Sequence, residues 1–206
     1  FTPFGGEKIN PSLEAVKLLP ECIDNNPIIK LKIPTVFGKC DIVLKDAIVK
    51  YNPDIVICVG QAGGITGLAI EKVGINLAEG RIPDNEGNQP NSSVIECTGK
   101  NAYFASIPTK AIQKNLITNG IPAYISYNAG TYVCNYIMYK LLYMIDNEFN
   151  NIKGGFIHVP YIPSQTTSKP RTASMDLLLI AKGLEYAIEA IINNCNDIVS
   201  VEGKLN

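Results

Sequence analysis

The chain has 206 residues, 46% of them hydrophobic and 18% charged, which suits one globular domain able to bury a core without disulfide or metal staples. Eighteen Lys and Arg face nineteen Asp and Glu, and a net charge of −1 excludes the basic footprint of a nucleic-acid binder. The six cysteines are widely and irregularly spaced with no CxxC pair, which speaks against a disulfide or zinc framework and for reduced thiols.

Phe1-Thr-Pro-Phe-Gly-Gly6 reads as a loop. Pro11 then opens a helix with Leu13, Val16 and Leu19 on one face. Ile28 to Val36 alternates partly and predicts a strand; Ile42 to Tyr51 predicts a second helix. Asp54 to Val59 is an almost unbroken apolar run, the pattern of a strand buried on both faces. It ends in the glycine turn Gly60-Gln-Ala-Gly-Gly64. Glu71 to Leu77 predicts another strand, and Arg81 to Ser93 a long polar loop of the kind that carries function.

A helix from Thr109 to about Asn119 is closed by Gly120. Ala123 to Tyr127 predicts a strand, and the turn Asn128-Ala-Gly-Thr131 leads into a long amphipathic helix. Its apolar stripe is Val133, Ile137, Leu141 and Ile145. Gly155 to Val159 predicts a strand stopped by Pro160 and Pro163. Ala173 to Asn193 predicts the last helix, and Asn193 to Asn206 a polar end expected to fray.

Strands and helices alternate without repeats. That predicts an α/β fold: a single domain over residues 1–206, with a twisted, largely parallel or mixed central sheet and helices on both faces. No basic-plus-apolar signal segment opens the sequence. The longest apolar helical stretch, Tyr136 to Ile145, is broken by Lys140 and falls far short of the ~20 residues of a membrane span, so no membrane partner is expected.

His158 is the only histidine, which excludes a multi-histidine metal site and leaves one candidate base for any Ser-His or Cys-His mechanism. Cys134 falls in the first turn of the long helix, directly after a strand and a tight turn. That is the arrangement of a nucleophile elbow with Cys in place of Ser. Unpaired N–H groups and a partial positive charge at a helix N-terminus stabilise a thiolate and can cradle an oxyanion. A small hydrophobe filling a gap is the bland alternative for Cys134. His158 lies near the end of an apolar strand, where sites in open α/β sheets gather; a buried neutral histidine is its bland alternative. Spacing cannot choose the group that would orient the imidazole, and Glu71, Glu79, Asp84 and Glu86 stay open as candidates. The Gly60–Gly67 segment lacks the Lys-Ser/Thr of a phosphate loop and does not match GxGxxG. It reads as a backbone turn that lets a ligand come close.

Several segments, in order, resemble type I pyroglutamyl peptidases (pyrrolidone-carboxylate peptidases). They are Phe1 to Ser12, Val59 to Gly64, Glu71 to Asn76, Arg81 to Gly87, Ser126 to Asn135 and Gly154 to Pro163. The resemblance implies a cysteine peptidase that removes an N-terminal pyroglutamyl residue from peptides. By motif position it implies Cys134 as nucleophile, His158 as general acid and base, and Glu71 as the orienting carboxylate. It implies Phe1 and Phe4 against the lactam ring, with Gln61, Arg81, Ile82, Tyr132 and Val133 completing the pocket. It further implies no cofactor and no metal, a cytoplasmic setting and a homo-oligomer, dimer or tetramer. Low charge and near-zero net charge fit the last of these.

Departures from the family pattern are Ile65, Lys72, Glu79-Gly80 and Tyr132 (where Phe is frequent), and none touches the three implied catalytic residues. Family members also carry a short apolar strand ahead of the position of Phe1, and that strand is absent from this sequence. Two readings from other classes stay open on the residues alone: a nucleoside phosphorylase-like transferase, and a non-catalytic binding module in which Cys134 is core.

Overall fold

The computed structural model describes residues 1–200, so the last six residues of the polar C-terminal end lie outside the described part. Helix α1 (Pro11–Leu18) starts where expected. The Asn10 side chain caps it, accepting from the Ser12 N–H at 3.1 Å, and proline takes the first helical position. A two-residue hairpin follows, β1 (Cys22–Ile23) with β2 (Asn26–Pro27). Helix α2 spans Cys40–Tyr51, and the apolar run becomes β3 (Ile55–Gln61).

The stretch from Ile28 to Val36 is not a strand. Pro27 precedes it and Pro34 interrupts it, and neither supplies an N–H. Its backbone bonds are scattered: Ile28 N–H to the Glu21 carbonyl, Thr2 N–H to the Ile33 carbonyl, Asn85 N–H to the Thr35 carbonyl, and the turn bonds of Lys39 and Cys40 N–H to the Val36 carbonyl. Its alternation reflects apolar side chains tucked against the core on one side rather than a ladder. The expected strand from Glu71 to Leu77 is two strands, β4 (Leu68–Glu71) and β5 (Val73–Ile75), which break at Lys72 and join different sheets.

Next come β6 (Ala102–Phe104), α3 (Thr109–Thr118), β7 (Ala123–Ser126), α4 (Val133–Asn147), β8 (Lys153–Val159) and the short α5 (Pro163–Thr166). Helix α6 (Leu177–Asn193) begins four residues later than the apolar pattern suggests, because Asp176 caps it by accepting from the Leu178 and Leu179 N–H groups.

The main sheet has the order β3-β8-β4-β7. β3 runs parallel to β8 and β4 parallel to β7, while β4 and β8 are antiparallel, so the sheet is mixed. Helices α2 and α4 pack on one face, and α1, α3 and α6 on the other. The α4 stripe supplies the core, with Val133, Ile137 and Leu141 fully buried. β5 and β6 form a separate antiparallel pair beside α4. Among the described residues no helix is long and apolar enough to cross a membrane.

Candidate active site

The register of the central strands brings the candidate residues together. In the antiparallel pair Ala69 lies opposite His158, so Glu71, two residues on, is a diagonal neighbour on the same face. Its side chain spans the gap: Glu71 Oε1 meets His158 Nδ1 at 2.7 Å, with both side chains buried. The other oxygen, Oε2, is buried with no hydrogen-bond partner among the described residues. The carboxylate therefore commits its charge to the ring.

On the other side of β8, Gly60 of β3 lies opposite His158. A Cβ there would sit 2.8 Å from Cys134 Sγ and 2.6 Å from the Phe156 ring. The sulfur thus rests on the bare backbone of Gly60, next to the histidine. Burial pulls the His158 pKa down, but the charge and hydrogen bond of Cys134, and those of Glu71, outweigh it and raise it. Nδ1 faces Glu71, which leaves Nε2 for the sulfur. Phe156 packs against the imidazole at a ring distance of 4.7 Å and against Phe1 at 6.3 Å.

Cys134 is the second residue of α4 and is partly exposed. The preceding turn is held by the Asn128 carboxamide, which accepts from the Gly130 N–H at 2.9 Å. Tyr132 at the cap position offers no side-chain bond to the first turn, whose N–H groups stay open to a ligand. The remaining thiols are less suited: burial pushes Cys58 up to about 12 and Cys40 higher still, and Cys22, Cys97 and Cys195 are exposed, whereas Cys134 is the thiol that acts on His158.

Several of the residues expected to form the pocket contact one another. Phe4 lies 5.9 Å from the Tyr132 ring, and Phe37 packs edge-on against Tyr132 at 5.4 Å. Val133 is fully buried at the start of α4, and Ile82 reaches toward Gly5. Arg81 is exposed. Gln61 behaves differently from its neighbours. Because side chains alternate along β3, it points to the face opposite Cys134. There its Oε1 accepts from Gln165 Nε2 at 3.0 Å, and Gln165 also donates to Glu7 and to the Ile9 carbonyl. Gln165 carried no sequence signal beyond its place in the proline-rich loop. Cavities of about 160 and 260 Å³ flank β3 and include none of Cys134, His158 and Glu71.

The other open carboxylates have separate duties. Asp84 is buried and organises the 81–93 loop: it accepts from the N–H groups of Phe37, Glu86 and Asn88 and from the Asn88 side chain. Glu86 pairs with Lys39, and Glu79 accepts from Ser92. Only Glu71 touches His158. Among the described residues no group of three or more His, Cys, Asp or Glu could hold a metal ion.

The sequence profile of a family described as pyroglutamyl peptidase matches residues 1–194. The chain belongs to the pyroglutamyl peptidase family. The pyrrolidone-carboxylate peptidase of Clostridium perfringens is 53% identical over 203 residues, covering 98% of this chain and 95% of the relative. That of Lactobacillus johnsonii is 54% identical over 205 residues, covering 98% and 95%. The crystal structure of pyroglutamyl peptidase I from Bacillus amyloliquefaciens superposes with a TM-score of 0.94 at 46% identity, covering 98% of this chain and 96% of that one. A mutant pyrrolidone carboxyl peptidase from P. furiosus superposes with a TM-score of 0.90 at 39% identity, covering 94% and 95%. The α/β fold with a mixed sheet is thus the fold of pyroglutamyl peptidases.

Proposed function

We propose that this chain hydrolyses the bond after an N-terminal pyroglutamyl (5-oxoproline) residue of peptides, using Cys134, His158 and Glu71 and a thioester intermediate. The observation that carries this reading is the buried Glu71–His158 bond beside a cysteine at an uncapped helix N-terminus, in a chain of the pyroglutamyl peptidase family. Cys134 Sγ attacks the carbonyl carbon that links pyroglutamate to the next residue, and His158 holds the proton lost by the thiol. N–H groups of the first α4 turn, with that of Arg81, receive the oxyanion. The tetrahedral adduct collapses, the C–N bond breaks, and His158 passes its proton to the leaving amine. Water, deprotonated by His158, then attacks the thioester, releasing pyroglutamate and restoring the thiol. Glu71 keeps the ring in one orientation throughout.

The lactam ring would lie among Phe1, Phe4, Ile82, Tyr132 and Val133. Apolar contact alone cannot separate pyroglutamate from proline, which has the same ring size. A site that pairs with the lactam edge can, since proline leaves those groups unpaired and brings a charged amine into an apolar pocket. With the Gln61 side chain engaged by Gln165, the pairing groups are backbone groups of the Gly60–Gly64 turn and the Arg81 loop. Kinetics on pyroglutamyl and prolyl amides test this: kcat/KM should differ by ~10⁴ or more. Comparable turnover of the two would remove the assigned specificity. We also read the chain as a cytoplasmic homo-oligomer, self-association being supported by its low charged fraction and near-zero net charge; a monomer alone in sedimentation at micromolar concentration would contradict self-association.

A further inference from the structure

Asn135 follows Cys134 directly and is fully buried. A buried carboxamide must satisfy one oxygen and two N–H groups, and all three are used. Oδ1 accepts from the Ile75 N–H at 2.9 Å, and Nδ2 donates to the Ile75 carbonyl and to the Leu77 carbonyl, each at 2.9 Å.

The reason lies in the β5–β6 pair. In an antiparallel ladder alternate residues turn their backbone groups outward. Asn76 bonds across to Asn101, so Ile75 presents its N–H and C=O away from β6, toward α4. The helix comes close enough to receive them because Gly74 has no side chain: a Cβ there would lie 3.1 Å from the Tyr139 backbone nitrogen. Asn135 therefore acts as a one-residue third strand, exchanging both bonds with Ile75.

The segment it grips joins two parts of the site. Ile75 lies four residues after Glu71, and Leu77 four residues before Arg81. Further bonds continue the same seam: Glu79 N–H to the Thr131 carbonyl at 2.9 Å, the Thr131 hydroxyl to the Glu79 carbonyl at 3.0 Å, and the Tyr132 hydroxyl to the Pro83 carbonyl at 3.0 Å. The two side-chain bonds of this outer seam are exposed, whereas the Asn135 bonds are made by a fully buried carboxamide and are better shielded from water.

We infer that Asn135 is a positioning residue for catalysis: its carboxamide fixes the first turn of α4, and with it Cys134, against the chain between Glu71 and Arg81. The inference rests on Cys134 being the nucleophile. Without this clamp the thiol keeps its contact with His158 and its reactivity but loses its alignment with the oxyanion donors. A misplacement of about 1 Å costs ~10² in rate.

The test compares Asn135→Ala and Asn135→Ser with wild type, each normalised to folded protein by circular dichroism. Readouts are kcat and KM on a pyroglutamyl amide and the rate of Cys134 alkylation by iodoacetamide, which needs a reactive sulfur but no oxyanion site. We expect kcat to fall by ~10² in the alanine variant and by less in the serine variant, which keeps one hydroxyl donor. KM and the alkylation rate should stay near wild type. A folded variant with lower melting temperature but wild-type kcat would overturn the inference, leaving Asn135 a purely structural residue. If Asn135→Ala does not fold, the serine variant decides by the same criterion. Cys134→Ser run alongside keeps the two readings apart: its retaining activity would remove the nucleophile, whatever Asn135 does.

Discussion

Gly60→Ala places a methyl group into the tightest contact of the site. Its carbon would lie 2.8 Å from Cys134 Sγ and 2.6 Å from the Phe156 ring. Comfortable contacts are about 3.5–4.0 Å, so each neighbour must retreat by about 1 Å. Phe156 has little room, being fully buried with His158 and Phe1 against it. Sγ can escape only by turning to another staggered χ1 well, which takes it off His158. Overpacking of this kind costs about 1–3 kcal/mol of stability, and a displacement of about 1 Å at the nucleophile costs ~10² in kcat/KM. The assay is hydrolysis of a pyroglutamyl amide by protein shown to be folded at the assay temperature, with a thermal melt in parallel. Activity should fall far more than the folded fraction. Wild-type kcat/KM in a folded Gly60→Ala variant would refute the placement of the sulfur on this strand.

His158→Ala should remove nearly all activity, since no second histidine can substitute, and Glu71→Gln should hurt less because an amide oxygen still accepts from the ring; wild-type kinetics in Glu71→Gln would give the third role to another group. Tyr132→Phe deletes the hydroxyl bond to the Pro83 carbonyl, worth ~0.5–1.5 kcal/mol, so KM should rise by up to about tenfold with little change in kcat; an unchanged KM would show that the loop does not depend on this bond. Burial alone would raise the Asp84 carboxyl, but hydrogen bonds from Asn88, Glu86 and Phe37 outweigh it and hold the pKa below the usual value. Its stabilisation is complete above the unfolded value of about 3.9 and is lost as pH falls through the lower folded value. Urea melts across that acid range should show a smaller pH dependence in Asp84→Asn than in wild type, and identical slopes would contradict the role given to this carboxylate.

The elements most legible in the sequence were those whose burial is one-dimensional. The apolar run of β3 and the four-residue stripe of α4 declare themselves because the side chains that pack are those that repeat. The Asp176 cap was equally visible as an Asp before an apolar run, yet the apolar pattern alone set the helix start four residues early. Ile28 to Val36 misled because one-sided burial imitates a strand while Pro34 withholds an N–H and the remaining backbone groups bond to scattered partners. The break at Lys72 was invisible, since it depends on partners far along the chain: β4 pairs with β7 and β8, β5 with β6.

The same limit applied to the site. Cys134 and His158 could be nominated from local position, but choosing among Glu71, Glu79, Asp84 and Glu86 requires the antiparallel register that sets Ala69 opposite His158. Family resemblance selected Glu71 without that register. Neither route pointed to Asn135 or Gln165, whose roles rest on bonds to residues 58 to 158 positions away.

The most direct test of the central claim is alkylation of the folded protein with iodoacetamide while amine release from a pyroglutamyl amide is followed and the modified cysteine is mapped. Activity should disappear in proportion to modification of Cys134 and be spared by modification of Cys22, Cys97 or Cys195 alone. Full turnover with Cys134 alkylated would contradict covalent catalysis by this residue.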